Sequence, residues 1–295
     1  MARVGDFDLI LKNQLKAIMS SFGWELKRMD KSLPLLHEIH LDDLSFFFWL
    51  TNRHAKQWWY KPTLEFRAEH RFLKKCCKPG MVAIDIGAHH GTQTIPMSMW
   101  AGVESRVYAF EANRWNAITL QANIALNGLE HCAGIYSAVG SEDGTIGIEG
   151  ETVGNATEPA IPTPCCTLDL FCRQRDIAEV DFVKIDVEGF EKRVLEGARN
   201  LLSNAPHISL ELHIDDLPKY GDNAKETLAL IDWEPYEVTA MNRASSWYDI
   251  TKLTSADDLP ASGVMNLFFF NPNRRVVQRT RSNGRQLQNL TDRSQ

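Results

Sequence analysis

The chain has 295 residues, 44% apolar and 24% charged, with a formal net charge of −6; these values suit a globular protein and exclude low-complexity and collagen-like classes. Its longest uninterrupted apolar runs, such as Phe46 to Leu50 and Leu267 to Phe270, fall far short of the ~18 residues that a membrane span needs. Cys76, Cys77, Cys132, Cys165, Cys166 and Cys172 show no zinc spacing, and Asp6 and Asp8 interrupt any secretory leader, so buried thiols in a cytoplasmic protein are expected.

The pattern over 7–28 predicts an amphipathic helix, with Leu11, Leu15, Ile18, Met19 and Phe22 on one stripe and Lys12, Gln14 and Lys16 opposite. That stripe is expected to pack on the main body or on a second copy in a homodimer. Peripheral membrane contact is the alternative, because lysines flank it. Residues 31–79 are rich in aromatics: Phe46, Phe47, Phe48, Trp49, Trp58, Trp59, Tyr60, Phe66 and Phe72. Such rings mostly supply core area, although Trp58 and Trp59 are also candidates to stack on a sugar acceptor. A helix over Glu65 to Lys75 leads through Pro79-Gly80 into a strand.

That strand is Val82 to Ile86, a brief apolar run around Asp85 that breaks at Gly87 and again at Gly91. A short apolar run bounded by turn residues reads as a parallel strand covered on both faces. The dinucleotide fingerprint would need a third glycine at a defined offset, which is absent. Asp85-x-Gly87-x-x-x-Gly91 is instead the arrangement of S-adenosylmethionine sites, where a carboxylate favours the ligand's ammonium and sulfonium. A tight turn in any α/β protein is the plainer alternative. A second apolar strand, 106–110, ends at Glu111, twenty residues after Gly91. In doubly wound folds an acid at about that distance hydrogen-bonds ribose hydroxyls.

From here the chain alternates as βαβ units do. The spacing predicts helix 92–101, helix 113–126 capped by Asn113, and strand 133–139. Glycines and prolines over 140–164 predict a hairpin at Thr145 to Glu149 and then a long loop, read as a lid over the acceptor. Thr167 caps a short helix, and strand 181–187 leads to a helix with the stripe Phe190, Val194, Leu195, Ala198, Leu201 and Leu202. Strand 207–212, helix 223–231, strand 236–240 and strand 264–270 complete the count. Lys184, in a buried strand, needs a carboxylate partner, for which Asp169 is the candidate. The expected fold is α/β and Rossmann-like. It has a seven-stranded, mostly parallel sheet with helices on both faces, its last strand antiparallel, plus an N-terminal helical extension. The divisions are 1–64 for the extension, 65–271 for the domain and 272–295 for a basic, disordered tail. That tail carries about +5 and the remainder about −11.

Three stretches together resemble the FkbM-type methyltransferase family. They are Ile84-Asp85-Ile86-Gly87-Ala88-His89-His90-Gly91, Tyr108-Ala109-Phe110-Glu111-Ala112-Asn113, and Thr167-Leu168-Asp169-Leu170 with Val183-Lys184-Ile185-Asp186-Val187-Glu188-Gly189-Phe190-Glu191. Leu210-Glu211-Leu212-His213, Asn123 and Asn127 match as well. The resemblance implies a Rossmann-like class I fold and S-adenosylmethionine-dependent O-methyl transfer to a hydroxyl of a sugar, glycan, or glycosylated or polyketide natural product. His89-His90 stands where an Asn and a small residue are more usual, Ala112 replaces a frequent proline, and 31–62 match nothing in the family.

Ligands in open α/β sheets bind at the carboxyl ends of the strands. The cofactor is therefore expected on Asp85, Gly87, Ala88, His89, Gly91, Glu111, Ala112, Asn113 and Asp186. Asp186, His213 and Glu188 are the candidate catalytic residues, with His213, of reference pKa about 6.5, as general base. Glu191, Glu211, Trp58 and Trp59 are candidates for the acceptor. A divalent metal on Asp186 and Glu188 is the less favoured option. Two rivals remain at this stage. A nucleic-acid methyltransferase would use the arginine tail, but the acidic body repels phosphate and Asp186-Val187-Glu188-Gly189 replaces the Asn/Asp-Pro-Pro-aromatic turn of base methylation. The other rival is a non-catalytic scaffold that keeps the fold.

Overall fold

A computed structural model describes residues 34–60, 64–149, 152–153, 160–242 and 250–275. The predicted helix over 7–28 lies outside them, as do the arginines beyond Arg275. The described residues open with a hairpin, β1 (Leu35–Leu41) and β2 (Leu44–Leu50), turning at Asp42-Asp43 with Asp42 at φ 51°. Among the described residues, helices follow as α1 (Arg53–Tyr60) and α2 (Leu64–Cys76). The reason for the hairpin is local. Phe46, Phe47, Phe48 and Trp49 favour a pleated surface, and two consecutive aspartates suit a tight turn.

Next come β3 (Val82–Ile86), α3 (Thr94–Ala101), β4 (Arg106–Glu111), α4 (Arg114–Leu126) and β5 (Cys132–Tyr136). The Asn113 side chain accepts hydrogen bonds from the N–H groups of Trp115 and Asn116 and so starts α4. The described part of 140–164 holds the expected hairpin and more. Together with Ala138-Val139 it builds a second small sheet from β6 (Ala138–Val139), β7 (Gly144–Glu149), β8 (Thr152–Val153) and β9 (Ile161–Cys166), ordered β6-β9-β7-β8. Pro162 and Pro164 stand at alternate positions of β9, so both missing donors face one edge, and pairing continues on the other.

The remainder is α5 (Leu168–Gln174), β10 (Phe182–Ile185), α6 (Glu191–Glu196), α7 (Arg199–Leu202), β11 (His207–His213), α8 (Ala224–Leu228), β12 (Glu237–Asn242), β13 (Thr251–Leu253) and β14 (Val264–Phe270). The predicted single helix over 190–202 is two, because a Cβ on Gly197 would lie 2.0 Å from the Gly140 carbonyl oxygen and the chain bends to pack there.

The central sheet is ordered β13-β12-β14-β11-β10-β3-β4-β5. The five strands from β11 to β5 run parallel, and β14 is antiparallel to both neighbours, as expected. β13 adds an eighth strand at the edge. Every residue of β3 is buried, because both faces are covered. Val82, Ile84 and Ile86 join Val183, Ile185, Leu168, Phe171 and Leu195 on one face. Ala83, Val107 and Ala109 on the other meet Phe46, Phe48, Leu50, Leu73, Ile95 and Leu120. Phe46, Phe48 and Trp49 of the hairpin are thus core, whereas Phe47 faces outward. Asn123 and Asn127 of α4 clip β2 in place, Asn123 Oδ1 accepting from Trp49 N at 2.6 Å and Asn127 Oδ1 from Phe47 N at 3.0 Å.

Successive strands proceed from β3 to one side and return from β10 to the other. The junction β3/β10 is therefore the topological switch point, where such sheets bind ligands.

Candidate active site

At the end of β3 the backbone is held before any ligand arrives. The N–H groups of Gly87 and Ala88 both donate to the Phe110 carbonyl, at 3.0 and 2.9 Å. Gly87 has φ +77°, and a Cβ there would sit 1.7 Å from the Asp186 carbonyl oxygen. What needs the glycine is the close passage of the β10 end. His89, at φ 51° in the left-handed region, donates its N–H to Glu111 Oε2 at 2.7 Å, and Asn113 N donates to Oε1 at 2.8 Å. Burial raises the Glu111 pKa, while His89 and these backbone donors oppose the rise. A carboxylate has about four acceptor positions, so two remain for ribose hydroxyls. His90 turns inward instead. Its Nε2 lies 3.0 Å from Thr51 Oγ1, and burial holds its pKa well below the usual value.

Asp85 is fully buried. Its Oδ2 accepts from Thr94 Oγ1 at 2.6 Å, and Oδ1 lies 3.4 Å from Lys184 Nζ. Lys184 also donates to the Gly87 carbonyl at 2.9 Å and to Asp186 Oδ2 at 3.2 Å. Burial works against this ammonium, but Asp186 and Asp85 outweigh it and raise its pKa. The expected partner, Asp169, is elsewhere: it accepts from the N–H groups of Asn200 and Leu201, at 2.9 and 3.0 Å, at the start of α7. Consequently the Asp85 charge is matched from within the protein. Asp186, whose side chain is 28% exposed, is the carboxylate that faces outward.

The end of β11 supplies His213, enclosed with its side chain 3% exposed. Nδ1 lies 2.9 Å from Glu191 Oε1, and Nε2 lies 3.3 Å from Glu188 Oε2 and 3.6 Å from Glu211 Oε1. Burial disfavours the charged ring, but the Glu191 hydrogen bond and the Asp186, Glu191 and Glu211 carboxylates prevail and push its pKa up to about 10. The neutral base expected from a pKa of about 6.5 does not hold in these surroundings; near neutral pH this ring carries both protons. Glu188, at φ 53°, is a non-glycine residue in the left-handed region, a conformation that the surrounding structure must enforce.

The model of the methyltransferase FkbM domain matches residues 85–236, just over half of the chain. The chain belongs to the FkbM methyltransferase family. It is an S-adenosylmethionine-dependent methyltransferase. No curated protein matches the sequence. Among solved structures, a precorrin-6y C5,15-methyltransferase from Geobacter metallireducens GS-15 is 15% identical, covering 71% of this chain and 89% of its own, with a TM-score of 0.41. An S-adenosylmethionine-dependent O-methyltransferase from Thermotoga maritima is 13% identical over 81% and 79%, with a TM-score of 0.40. Fibrillarin from Aeropyrum pernix, solved with bound S-adenosylmethionine, is 15% identical over 68% and 74%, with a TM-score of 0.39. All three are too distant to carry a functional assignment.

In this methyltransferase, Gly87, His89, Ala112, Asn113 and Asp186 are partly open at the carboxyl ends of β3, β4 and β10. They and Glu111 form a rim that fits the cofactor: a carboxylate with spare acceptor positions at one end and an outward carboxylate at the other. Ala88 is buried beneath it, and Gly91 packs on Leu120 of α4. Glu191, expected to touch the acceptor, is fully buried and accepts from Gly189 N and the His213 ring. The distance from strand end to first helical turn hid that, since only the folded chain brings His213 onto it. Glu211 and His213 do meet Asp186, whereas Trp58 and Trp59 stand in α1 with their side chains outside the described residues. Thr94 and Asn52, which contacts His89 Nε2 at 3.2 Å, were not legible in the sequence. No local motif marks a contact made across the fold.

Proposed function

We propose that this methyltransferase transfers the methyl group to a hydroxyl of a sugar, a glycan, or a glycosylated or polyketide natural product. The observation that carries this reading is the meeting of Asp186, Glu188, Glu211 and His213 beside the Glu111–His89 rim at the switch point of the sheet. Hydroxyl-rich acceptors suit a rim of carboxylates, and the family match points to methyl transfer. S-adenosylmethionine, when bound, supplies a methyl group on a positively charged sulfur.

The chain's own residues then divide the remaining work. Glu111 and the His89 backbone orient the ribose. Asp186, fixed by Lys184, stands between donor and acceptor sides. Glu188, 48% exposed, takes the hydroxyl proton as the new bond forms; a base so placed contributes about 10²–10⁴-fold. His213 and Glu211 set the charge and position of Glu188.

Labelled S-adenosylmethionine with a panel of sugars, glycosides and polyketide alcohols tests the reading. Label should pass to an oxygen. Glu188→Gln should slow turnover by about 10²-fold or more while calorimetry finds donor affinity within a few fold. A chain that binds no S-adenosylmethionine would refute the cofactor site, and an undiminished Glu188→Gln variant would refute the base.

A further inference from the structure

His213 Nε2, beside the proposed reaction centre, is enclosed and makes no hydrogen bond among the described residues, although carboxylate oxygens of Glu188 and Glu211 lie 3.3 and 3.6 Å away. Its sister nitrogen is committed. Nδ1 meets Glu191 Oε1 at 2.9 Å, and that same oxygen accepts Gly189 N at 2.9 Å, so the acceptor is itself fixed. Glu191 is fully buried, with nothing to offer an acceptor substrate. A carboxylate that holds the Nδ1 proton aims the other nitrogen at whatever lies in front, where an ion would displace the second ring proton, the arrangement that backs metal-ligating histidines.

In front lie two more ligand atoms. One atom each from Asp186, Glu211 and His213 falls within 4.8 Å of the others. Shifts of about an ångström or less would bring them onto one ion with bonds of ~2.0–2.2 Å. The three sit on the ends of neighbouring parallel strands, β10 and β11, whose pairing at Ile185↔Leu210 fixes their spacing.

We propose that Asp186, Glu211 and His213 bind a divalent transition-metal ion of the Mn²⁺, Fe²⁺ or Zn²⁺ kind, and that Glu191 is the positioning residue for His213. One imidazole with two carboxylates suits these ions better than Ca²⁺ or Mg²⁺, which favour all-oxygen shells. The two carboxylates balance the ion's charge, and the ion takes the place of the second ring proton. Three protein ligands would leave coordination positions open for an acceptor oxygen. An acceptor hydroxyl held there is more acidic. Its proton passes to Glu188, its oxygen bonds to the methyl carbon, and the electron pair of the breaking carbon–sulfur bond stays on sulfur. This use of the ion rests on the methyl-transfer reading above; binding of the ion does not.

The test uses the full chain stripped with a chelator and titrated with Mn²⁺, free ion being followed by electron paramagnetic resonance. S-adenosylmethionine affinity is measured separately by calorimetry. One Mn²⁺ per chain should bind, with an imidazole-nitrogen modulation in the spin-echo spectrum. His213→Gln should abolish that modulation. Asp186→Asn and Glu211→Gln should each weaken binding at least tenfold, and Glu191→Gln by about 10–100-fold, with circular dichroism unchanged. A folded wild-type chain that binds no Mn²⁺, or binding that survives both Asp186→Asn and His213→Gln, overturns the proposal. Donor binding without Mn²⁺ binding would leave the methyl-transfer reading intact and remove only the metal site; the reverse result would do the opposite.

Discussion

Gly87 and Lys184 secure the joint between β3 and β10 from opposite sides. A side chain at Gly87 meets the Asp186 carbonyl oxygen at 1.7 Å, from a backbone already at φ +77°, and neither partner is a flexible tip. Gly87→Ala is therefore expected to cost about 3 kcal/mol or more, seen as a lowered denaturant midpoint together with loss of S-adenosylmethionine binding. Lys184 answers two carboxylates at once, one of them fully buried. Lys184→Met strands the Asp85 charge, and removing one partner of a buried pair costs ~3–5 kcal/mol. Adding Asp85→Asn should recover part of that loss. If the double variant is no more stable than Lys184→Met, Asp85 is not the charge that Lys184 neutralises. Both residues stood out in the sequence, Gly87 by its spacing and Lys184 as a cation in a buried strand. The identity of Lys184's partners did not, since Asp85 lies 99 positions away and meets it only through strand pairing.

At the scale of elements, two contacts hold the periphery to the sheet. β14 leaves the sheet beside the start of β11. There the Asn271 N–H donates to His207 Nδ1 at 3.2 Å, and the His207 ring stacks on Phe270 at 4.9 Å between centroids. Burial, then the Arg274 charge, lowers the His207 pKa to about 4. The sign follows directly: the fold holds the neutral ring, while the unfolded chain takes up a proton below about 6.5. Stability from this contact is complete above that pH and is lost as pH falls toward 4. Urea midpoints measured between pH 6.5 and pH 4 should therefore decline less steeply in His207→Asn, which keeps an acceptor without a titrating ring. The hairpin is the other case. Asn123 accepts from Trp49 N and donates to the carbonyls of Trp49 and His90. Asn123→Ala leaves these groups unpaired at ~1–3 kcal/mol each when buried, and hydrogen exchange at the Trp49 amide should accelerate relative to amides of β3. An equal acceleration in both strands would show the hairpin and sheet to open as one unit.

For the whole molecule, the question is what the basic C-terminal stretch does. Its first arginine is not a free charge. Arg274 lies against Asp181 at 3.0 Å and Glu179 at 3.3 Å, and donates to the Asn204 carbonyl. Arg274 is thus tied to the main body, although the tail was expected to start at 272. Removal of 276–295 should leave methyl transfer to a hydroxylated acceptor within about twofold, whereas a nucleic-acid enzyme would lose affinity steeply with each phosphate contact removed. Loss of transfer on that deletion, with donor binding kept, would revive the nucleic-acid reading. Among the described residues no helix is long and apolar enough to cross a membrane.

The residues alone were enough for whatever depends on short-range pattern. The alternation of apolar runs with amphipathic stretches marked the parallel strands and their helices. Asn113 and Thr167 announced the helices that they cap, and the turn glycine Gly87 and the strand-end Glu111 stood out by spacing, because each such signal is local in the chain. Long-range geometry decided the rest. Phe46 to Leu50 could pair as a strand only once Leu35 to Leu41 lay beside it. His213 could be judged neutral or charged only after Glu191, Glu188 and Glu211 had been brought within 3.6 Å of its ring. A side chain's charge is set by neighbours that sequence order does not reveal, so the charge of His213 was decided by packing.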